Sequence, residues 1–487
     1  MPFREEMGDH KRTAKLVSWF NSATGSMAVM SINSFENYPM SWKPSLRLDD
    51  KPLYIELAEQ LEQDIANGIL RPGTKLPPQR ELADFLDINV STVSRAFKLC
   101  AQKGLLSGTV GCGTFVAYDV ATNIFSLPDA EQPHVIQLGS MTPETIVQDE
   151  ATKLLQKMMT EPDFGALFQY THATPKWHQE AAAGLFRRIG CQVTSDNILA
   201  ASGGQNAISC IFAGLFRPGD RIGTDPLVYP GLKSAAKLFG IQLVPIAQEN
   251  GEMSADGIRY AVKNDNIKAI YVMPDQQNPT THTMSAGCRK RIADVAKELD
   301  LLLIEDGINS LLANKPDDAI AAAAPDHTIF IFSLSKTILP ALRLSYLAVP
   351  PRWKKQLENA LYNINLSQSA LLTELAARLI ASGQLEPLLE RRRKGLALRN
   401  EITDRILHGF QVRGDCQSLS RWLLLPDGMS GEEFERISLE HGVFVYGSER
   451  FAVGKDRPIG AARLAICAPG SLEELEQGLT ILKSLLG

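Results

Sequence analysis

Apolar residues recur with helical spacing in the first part of the chain. Within residues 52–66 they fall four positions apart, which predicts one buried face of an amphipathic helix: Leu53, Leu57, Leu61 and Ile65. Glycine and proline then interrupt the pattern, and a second short helix is predicted at Gln79–Leu86. Ser91 is predicted to act as the N-cap of a third helix. Residues 105–118 are predicted to form two short strands joined by a glycine-rich turn.

Beyond residue 134 short apolar runs alternate with amphipathic stretches. This alternation is typical of a largely parallel sheet flanked by helices, so we predict an α/β domain. Three of the runs, AIYVM, LLLIE and IFIF, lead into segments that contain Asn278, Asp306 and Lys336, respectively. Ligands of open α/β sheets bind outside the carboxyl ends of the strands. We therefore expect these three side chains to converge on one crevice.

Composition narrows the class of protein. With 487 residues, 44% of them hydrophobic and 22% charged, the chain can bury a sizeable core, which excludes disordered, collagen-like and disulfide-scaffold proteins. The balance of 50 basic against 55 acidic residues excludes a surface that is basic throughout, so any DNA contact must come from a local patch.

The seven cysteines show no C-x-x-C spacing, and the apolar runs are too short to span a bilayer. These features predict a cytoplasmic protein with no metal site and no membrane contact.

Changes in periodicity along the chain indicate its domain boundaries. The length favours roughly three domains or subdomains. We predict four segments: a poorly ordered extension at 1–42, a small helical module at 43–118, a linker at 119–133 and the α/β domain at 134–487.

The helical module carries short polar and basic side chains where DNA contact is expected. They lie on the predicted second helix and at the start of the third: Arg80, Ser91, Thr92, Ser94, Arg95 and Lys98. Side chains at the start of a recognition helix meet base edges and phosphates, and three helices followed by a hairpin is the winged helix-turn-helix order. Residues 51–116 nevertheless hold seven basic and seven acidic residues, so a helical interaction module is the alternative.

Three motifs in this module, LPPQRELA, STVSRAF and GCGTFV, together resemble the GntR-type winged-helix DNA-binding domain. The resemblance covers the module over its full length. It implies that the protein binds a double-stranded DNA operator, and that it does so as a dimer on paired half-sites.

The residues that follow the apolar runs suit one kind of ligand. A lysine can hold an aldehyde as a Schiff base, a buried carboxylate can pair with a protonated pyridine nitrogen, and an amide can donate to a phenolic oxygen. Small residues at 202–205 enter a predicted helix and could hold a phosphate together with Arg343. Each residue alone has a simpler interpretation, namely a solvated lysine, a turn or a helix cap. Their order along the chain favours the cofactor site.

This order resembles the aminotransferase class I domain of fold-type I pyridoxal 5′-phosphate enzymes, over the whole predicted α/β domain. By this resemblance SLSK makes Lys336 the catalytic lysine of the internal aldimine, Asp306 the partner of the pyridine nitrogen and Asn278 the donor to the ring oxygen. Tyr229 would stack on the ring, and Arg463 would hold the carboxylate of a substrate or effector. The implied phosphate ligands are Gly204, Gln205, Ser333, Ser335 and Arg343.

The chain departs from the family pattern in the segment around Tyr170, which lacks the usual glycine-containing pattern, and at two further places. Thr281 replaces the glycine of the NPTG motif, and Ile308 and Asn309 stand where a tyrosine usually follows the aspartate. That tyrosine helps tune the ring oxygen and the aldimine, so its absence argues against efficient transamination. Tyr170 lies where the family often sends a tyrosine into the phosphate site of the neighbouring subunit.

A GntR-type reader joined to an aminotransferase-like domain resembles the MocR subfamily of bacterial transcription regulators. The resemblance implies a homodimer that binds pyridoxal phosphate at Lys336, senses a small amino compound or B6 vitamer there, and changes its DNA binding in response. A working aminotransferase with an accessory DNA-binding module is the second hypothesis, supported by Arg463. A regulator that has lost the cofactor is the third, and the presence of both Lys336 and Asp306 argues against it.

Overall fold

The computed structural model describes residues 40–44, 51–109, 113–118, 135–144, 148–170, 174–312 and 318–487. The chain divides into residues 1–43 and residues 44–487. Most of the predicted extension, the predicted linker at 119–133 and the turn of the predicted hairpin lie outside the described residues. The predicted domain boundaries therefore stay predictions.

The small N-terminal module, here called the reader, has the predicted element order. Its elements are α1 (Leu53–Ala66), α2 (Gln79–Leu86), α3 (Val90–Gln102), β1 (Leu106–Thr109) and β2 (Gly113–Val116). The two strands pair antiparallel. Three residues of the predicted apolar stripe of α1 are buried in the reader: Leu57, Leu61 and Ile65. Val93 and Phe97 of α3 are buried as well.

The start of α3 differs from the prediction. Helix α3 begins at Val90, and its N-cap is Asn89, whose side chain accepts a hydrogen bond from the backbone of Ser91. Asparagine is as effective an N-cap as serine, because its side-chain oxygen accepts the same kind of backbone hydrogen bond, and the helix therefore begins two residues earlier than predicted. Ser91 therefore lies within the first turn of the helix, where its side chain is exposed.

The large domain alternates strands and helices. Its strands are β3 (Ile136–Gln137), β4 (Ile198–Ala201), β5 (Arg221–Thr224), β6 (Gln242–Pro245), β7 (Gln248–Glu249), β8 (Glu252–Met253), β9 (Ile267–Val272), β10 (Leu302–Asp306), β11 (Thr328–Ser333), β12 (Ser345–Ala348), β13 (Val412–Arg413), β14 (Arg421–Leu424), β15 (Val443–Phe444), β16 (Tyr446–Gly447) and β17 (Ala461–Leu464). Its helices are α4 (Gln148–Met159), α5 (Lys176–Arg187), α6 (Gly204–Leu215), α7 (Pro230–Phe239), α8 (Ala255–Asp265), α9 (Ala286–Glu298), α10 (Ile320–Ala323), α11 (Pro351–Asn365), α12 (Ala370–Ala381), α13 (Leu385–Ile406), α14 (Gly431–Glu440) and α15 (Leu472–Leu486).

A seven-stranded sheet organises the first part of this domain, in the order β4-β12-β11-β10-β9-β5-β6. Strand β12 runs antiparallel to both of its neighbours, and the other six strands are parallel to one another. The predicted, largely parallel sheet is therefore confirmed. Because those six strands point the same way, the segments that follow them emerge at one edge of the sheet.

Both faces of the sheet are covered. Along β11, Phe330 and Phe332 pack into the core on one face, whereas Ile329 and Ile331 pack into the core on the other. Side chains alternate along a strand, so a run such as IFIF is apolar throughout only when both faces are buried. This arrangement explains why the sequence shows uninterrupted apolar runs rather than an alternating pattern.

The C-terminal part of the chain forms a smaller, antiparallel sheet in the order β13-β14-β17-β16. Strand β3, near the start of the large domain, pairs with β15 of this part. Helices α14 and α15 close over the same core, in which Phe434, Leu475 and Leu479 are fully buried. No helix among the described residues is long and apolar enough to cross a membrane.

Three hydrogen bonds join the reader to the large domain, two of them at Tyr118, its last described residue. The backbone N–H of Tyr118 donates to the carbonyl of Gly454 at 2.9 Å, and the ammonium of Lys233 donates to the carbonyl of Tyr118 at 3.0 Å. A third hydrogen bond joins the side chain of Gln242, on β6, to the carbonyl of Ala101, on α3, at 3.1 Å. The reader is thus held directly against α7 and the edge of the sheet.

Candidate functional site

The predicted site residues meet at the carboxyl edge of the parallel strands. Asp306 ends β10, Ser333 ends β11, and Gly204 opens α6 directly after β4. Asn278 lies in the loop that follows β9, and Tyr229 precedes α7, after β5. The shared strand direction therefore brings together segments that are far apart in sequence, as expected for a ligand site of an open α/β sheet.

The start of α6 is shaped to admit an anion. Gly203 is the N-cap with φ of 91°, a conformation that suits glycine, and a Cβ placed there would lie 3.0 Å from the guanidinium of Arg343. The first amides of a helix have no partner within the helix and carry partial positive charge. Together with the exposed Arg343 they place positive charge at the start of α6, where we expect a phosphate from the sequence.

Gln205, in the first turn of α6, is fixed toward the neighbouring helix. Its amide nitrogen donates to the carbonyl of Gly231 in α7 at 2.8 Å, while its amide oxygen is buried without a hydrogen-bond partner among the described residues. Gly231 has no room for a Cβ, because Gln205 and Tyr229 pack against it. The side chains of Gln205 and Tyr229 are therefore held side by side.

Ser333 and Ser335 lie between the end of β11 and Lys336, and both are buried. The Ser333 hydroxyl accepts a hydrogen bond from the backbone of Ser335 at 3.2 Å. The Ser335 hydroxyl has no hydrogen-bond partner among the described residues. A buried hydroxyl without a partner is costly, so this oxygen is suited to binding a ligand.

Asp306 is only 2% exposed, and one of its carboxylate oxygens accepts a hydrogen bond from the hydroxyl of Tyr271 at 2.5 Å. Burial raises the pKa of Asp306 to about 6, against the opposing effect of the Tyr271 hydroxyl. The other carboxylate oxygen, Oδ1, is buried with no hydrogen-bond partner in the part of the chain that the structure describes. This oxygen is suited to a buried, protonated nitrogen.

Asn278 and Arg463 are joined across the pocket. The guanidinium of Arg463 donates to the amide oxygen of Asn278 at 2.7 Å and also to the carbonyl of Gly139. The amide nitrogen of Asn278 is left buried and unpaired among the described residues. The Arg463 bond fixes the amide so that its nitrogen is the free donor, which is the orientation that a phenolate oxygen requires.

Arg463 is a buried cation without a carboxylate partner among the described residues. It is 3% exposed, and its guanidinium carbon lies 5.1 Å from the ring centre of Tyr446 and 4.9 Å from that of Phe451. Burial lowers its pKa to about 10. Aromatic faces stabilise a cation only modestly, so an anionic ligand group would meet a strong electrostatic attraction here.

Lys336 lies in the turn after β11 with its ammonium donating to the carbonyl of Met141. Burial lowers its pKa, and the neighbouring guanidinium groups of Arg463 and Arg343 add to this effect. A lysine with a lowered pKa is more often unprotonated and therefore more nucleophilic. Lys336 follows β11 at the same edge of the sheet as the loop with Asn278 and the end of β10 with Asp306.

The departures from the family pattern at Thr281, Ile308 and Asn309 have visible structural consequences. Thr281 adopts φ of 61°, in the left-handed region that favours glycine. The Ile308 side chain packs toward Gly204, and Asn309 donates to the carbonyl of Gln276 at 2.9 Å. Neither of these two residues places a hydroxyl in the site.

Tyr271 is a site residue that sequence reasoning missed. In the register of the sheet it lies opposite Ile304, so that Asp306, two residues further along β10, shares its face. Long side chains reach such diagonal neighbours. A tyrosine within a buried apolar run was the available signal, because its hydroxyl requires a partner. The register that supplies this partner is not visible in the sequence.

The predicted DNA-contacting residues lie on one exposed face of the reader. Arg80, Ser91, Ser94, Arg95 and Lys98 are exposed, and Thr92 is partly exposed. A groove of about 400 Å³ separates this part of α3 from Leu106 and Thr114 of the hairpin. The Ser94 hydroxyl donates to Gln79 at 2.6 Å, which links α3 to α2.

Two families match the chain. Residues 53–116 match the bacterial regulatory proteins of the gntR family, and residues 133–482 match aminotransferase class I and II. The solved structures most similar in fold include kynurenine aminotransferase of Pyrococcus horikoshii, with TM-score 0.67, 22% identity, and coverage of 73% of this chain and 91% of that one. LysN, the α-aminoadipate aminotransferase of Thermus thermophilus, has TM-score 0.64, 20% identity, and coverage of 73% and 92%.

Similar sequences include transcription regulators that match over both parts. YdeF of Bacillus subtilis, an uncharacterised HTH-type transcriptional regulator, is 50% identical over 94% of this chain and 99% of its own length. The pyridoxine biosynthesis regulator PdxR of Corynebacterium glutamicum is 26% identical over 71% and 77%, and the probable rhizopine catabolism regulatory protein MocR of Rhizobium meliloti is 23% identical over 72% and 76%. The chain belongs to the MocR subfamily of GntR-type transcription regulators, which join a helix-turn-helix DNA-binding domain to an aminotransferase class I and II domain.

Proposed function

We propose that this protein is a transcription regulator that binds pyridoxal phosphate at Lys336 and adjusts its DNA binding to an amino compound or a B6 vitamer. The observation that carries the proposal is a set of buried, unpaired polar atoms in the segments at the carboxyl edge of the sheet, where the turn with Lys336 also lies. They are the amide nitrogen of Asn278, one carboxylate oxygen of Asp306 and the hydroxyl of Ser335. Leaving such atoms unpaired costs about 1–3 kcal/mol each, which a matching ligand would recover.

These atoms fit pyridoxal phosphate group by group. The phosphate would be held by the first amides of α6 with Ser333, Ser335 and Arg343, the ring nitrogen by Asp306 and the ring oxygen by Asn278. Tyr229 would cover one face of the ring. When bound, the cofactor supplies an aldehyde that exchanges between amines. The chain's own part is to hold Lys336 with a lowered pKa and to keep water from the buried carboxylate.

Arg463 supports an effector that carries an anionic group. Its buried guanidinium faces the site and has no carboxylate partner among the described residues. The name of one relative agrees with a B6 vitamer as effector, since that protein is a pyridoxine biosynthesis transcriptional regulator. An effector with both an amino group and a carboxylate would fit the site, because the amine could react with the cofactor at Lys336 and the carboxylate could bind Arg463.

A homodimer is part of the proposal. Large apolar side chains lie exposed in the segment before α5, where Met159 is 64%, Phe168 71% and Tyr170 76% accessible. Exposed apolar clusters of this kind mark interaction surfaces. A second copy would cover them, and Tyr170 of that copy is the residue that we expect near the phosphate. A dimer would also present two readers to paired half-sites.

We propose that the signal passes through α7 as well as through the linker. Tyr229 precedes α7, Gln205 donates to Gly231 in its first turn, and Lys233 follows two residues later. The buried ammonium of Lys233 donates to the carbonyls of Tyr118 in the reader and Arg450. Movement of Tyr229 would therefore shift the group that holds the end of the reader. Such coupling requires a ligand that binds two arrangements with different affinity.

A working aminotransferase is the second candidate, favoured by the retention of Arg463. Full conversion of the bound cofactor by an amino acid, followed by repeated turnover with a keto acid, would establish this enzyme function. We expect slow conversion without sustained turnover, because Ile308 and Asn309 provide no hydroxyl near the ring oxygen. Absorbance of the cofactor during both half-reactions measures the difference.

Lys336→Ala is expected to abolish the visible absorption band of lysine-bound pyridoxal phosphate, because no other group would form the covalent link at this position. Borohydride reduction should add the cofactor's mass to the peptide containing Lys336 in the wild type only. Lys355→Ala, an exposed lysine on α11, is the matched control and should behave as the wild type. Unchanged absorption in Lys336→Ala would contradict the proposed site.

Arg95→Ala is expected to weaken binding to a DNA fragment from the promoter beside the gene by roughly 1–3 kcal/mol, as for loss of a recognition-helix arginine. Cofactor absorption should be unchanged. Lys103→Ala is the control, because Lys103 follows the far end of α3 and pairs with Glu62 at 2.6 Å. Equal affinities of Arg95→Ala and wild type, measured by fluorescence anisotropy, would refute the assignment of α3.

Lys233→Met is expected to uncouple the reader from the cofactor site while preserving cofactor binding. The variant removes the hydrogen bond to Tyr118 and retains the apolar bulk. Amide exchange of residues 113–118 should accelerate, and DNA affinity should no longer differ between protein loaded with pyridoxal phosphate and protein freed of it. Lys237→Met, exposed on the same helix, is the control. If Lys233→Met keeps the full difference in DNA affinity, the route through α7 is wrong.

A further inference from the structure

One hydroxyl in the site has no role in the function proposed above. Tyr271 is 2% exposed, and its hydroxyl donates to Oδ2 of Asp306 at 2.5 Å. Both residues lie on the central, parallel part of the sheet, on adjacent strands β9 and β10. Because both backbones belong to the sheet, neither side chain can move far without disturbing the core.

This hydrogen bond makes the two carboxylate oxygens of Asp306 unequal. Oδ2 is occupied by the Tyr271 hydroxyl, and Oδ1 has no hydrogen-bond partner among the described residues. A carboxylate held at one oxygen cannot rotate freely, so the direction in which Oδ1 accepts is fixed. The ligand that suits a single, buried, directed carboxylate oxygen is a cationic N–H donor.

The same bond favours the charged form of the carboxylate. Burial raises the pKa of Asp306, and the hydroxyl of Tyr271 and the backbone amide of Ile308 act against that rise. Burial beside this carboxylate also raises the pKa of Tyr271 well above its ordinary value, so the phenol remains the donor. A hydrogen bond to a charged group contributes more than one between neutral groups.

We propose that Tyr271 is a positioning residue that holds Asp306 ionised and directed at the ring nitrogen of pyridoxal phosphate. The proposal rests on the function proposed above. In this proposal Tyr271 does not contact the cofactor, and the effect of its hydroxyl passes through Asp306. Loss of the hydroxyl would leave a buried carboxylate that more readily takes up a proton and turns, and such a group no longer stabilises the protonated ring nitrogen.

The test compares Tyr271→Phe with Tyr346→Phe in the full-length protein. Tyr346 is a matched control, because it lies on β12 of the same sheet, is fully buried, and has a hydroxyl without a partner among the described residues. We expect Tyr271→Phe to lower the affinity for pyridoxal phosphate about tenfold, the effect of losing one hydrogen bond to a charged group. Tyr346→Phe should retain the wild-type affinity.

A spectroscopic measurement separates positioning from folding. With isotopically labelled ring nitrogen, the chemical shift should indicate a protonated nitrogen in the wild type and in Tyr346→Phe, and a largely unprotonated one in Tyr271→Phe. In an Asp306→Asn background, adding Tyr271→Phe should change the affinity less than twofold, because the two residues act as one unit.

The outcomes distinguish the two proposals. Wild-type protein that binds no pyridoxal phosphate would refute the proposed function. Wild-type binding with equal affinities and chemical shifts in Tyr271→Phe and wild type would overturn the role of Tyr271 and leave the function standing. A full tenfold loss when Tyr271→Phe is added to Asp306→Asn would also overturn it, since the effect would not pass through the carboxylate.

Discussion

The cost of burying ionisable groups at the edge of the sheet governs the chemistry of this protein. Asp306 and Arg463 are almost inaccessible to water, and burial pushes each toward its neutral form, raising the pKa of the acid and lowering that of the base. A charge removed from water needs partners, or it costs several kcal/mol. The structure supplies some of these partners and leaves specific atoms unpaired. These unpaired atoms are the basis on which we propose a ligand at this edge of the sheet.

Much of this arrangement could be predicted from the sequence, because parallel strands impose a simple rule. Once the apolar runs are recognised as strands that point the same way, Asn278, Asp306 and Lys336 must meet at one edge. Tyr271 could not be found in this way, since its partner depends on the register of β9 against β10. Lys233 was beyond prediction for a similar reason. Its partners, Tyr118 and Arg450, are more than a hundred residues away on either side.

The reader shows how a chain with a net charge of −5 can carry a basic surface. On α1, Glu59 and Glu62 are paired with Lys51 and Lys103, away from the start of the recognition helix. The bases that face outward on α2 and the first half of α3 have no carboxylate partner among the described residues: Arg80, Arg95 and Lys98. Because lysines pair with these two acids of α1, the three unpaired bases remain available to attract phosphates, whatever the total charge.

Helix α7 explains why an aminotransferase-like site is useful to a DNA-binding protein. Its first turn is packed against Tyr229 and Gln205 so closely that Gly231 has no room for a side chain. Close-packed groups transmit displacement, because a shift of one must move its neighbours or open a cavity. Two residues after Gly231, the same helix holds the reader through Lys233. In the proposed function, exchange of one amine for another at Lys336 would change the contents of this packed region without completing a reaction. Turnover and sensing would then make different demands on the same pocket, and the absence of a tyrosine at Ile308 and Asn309 would impair turnover far more than sensing.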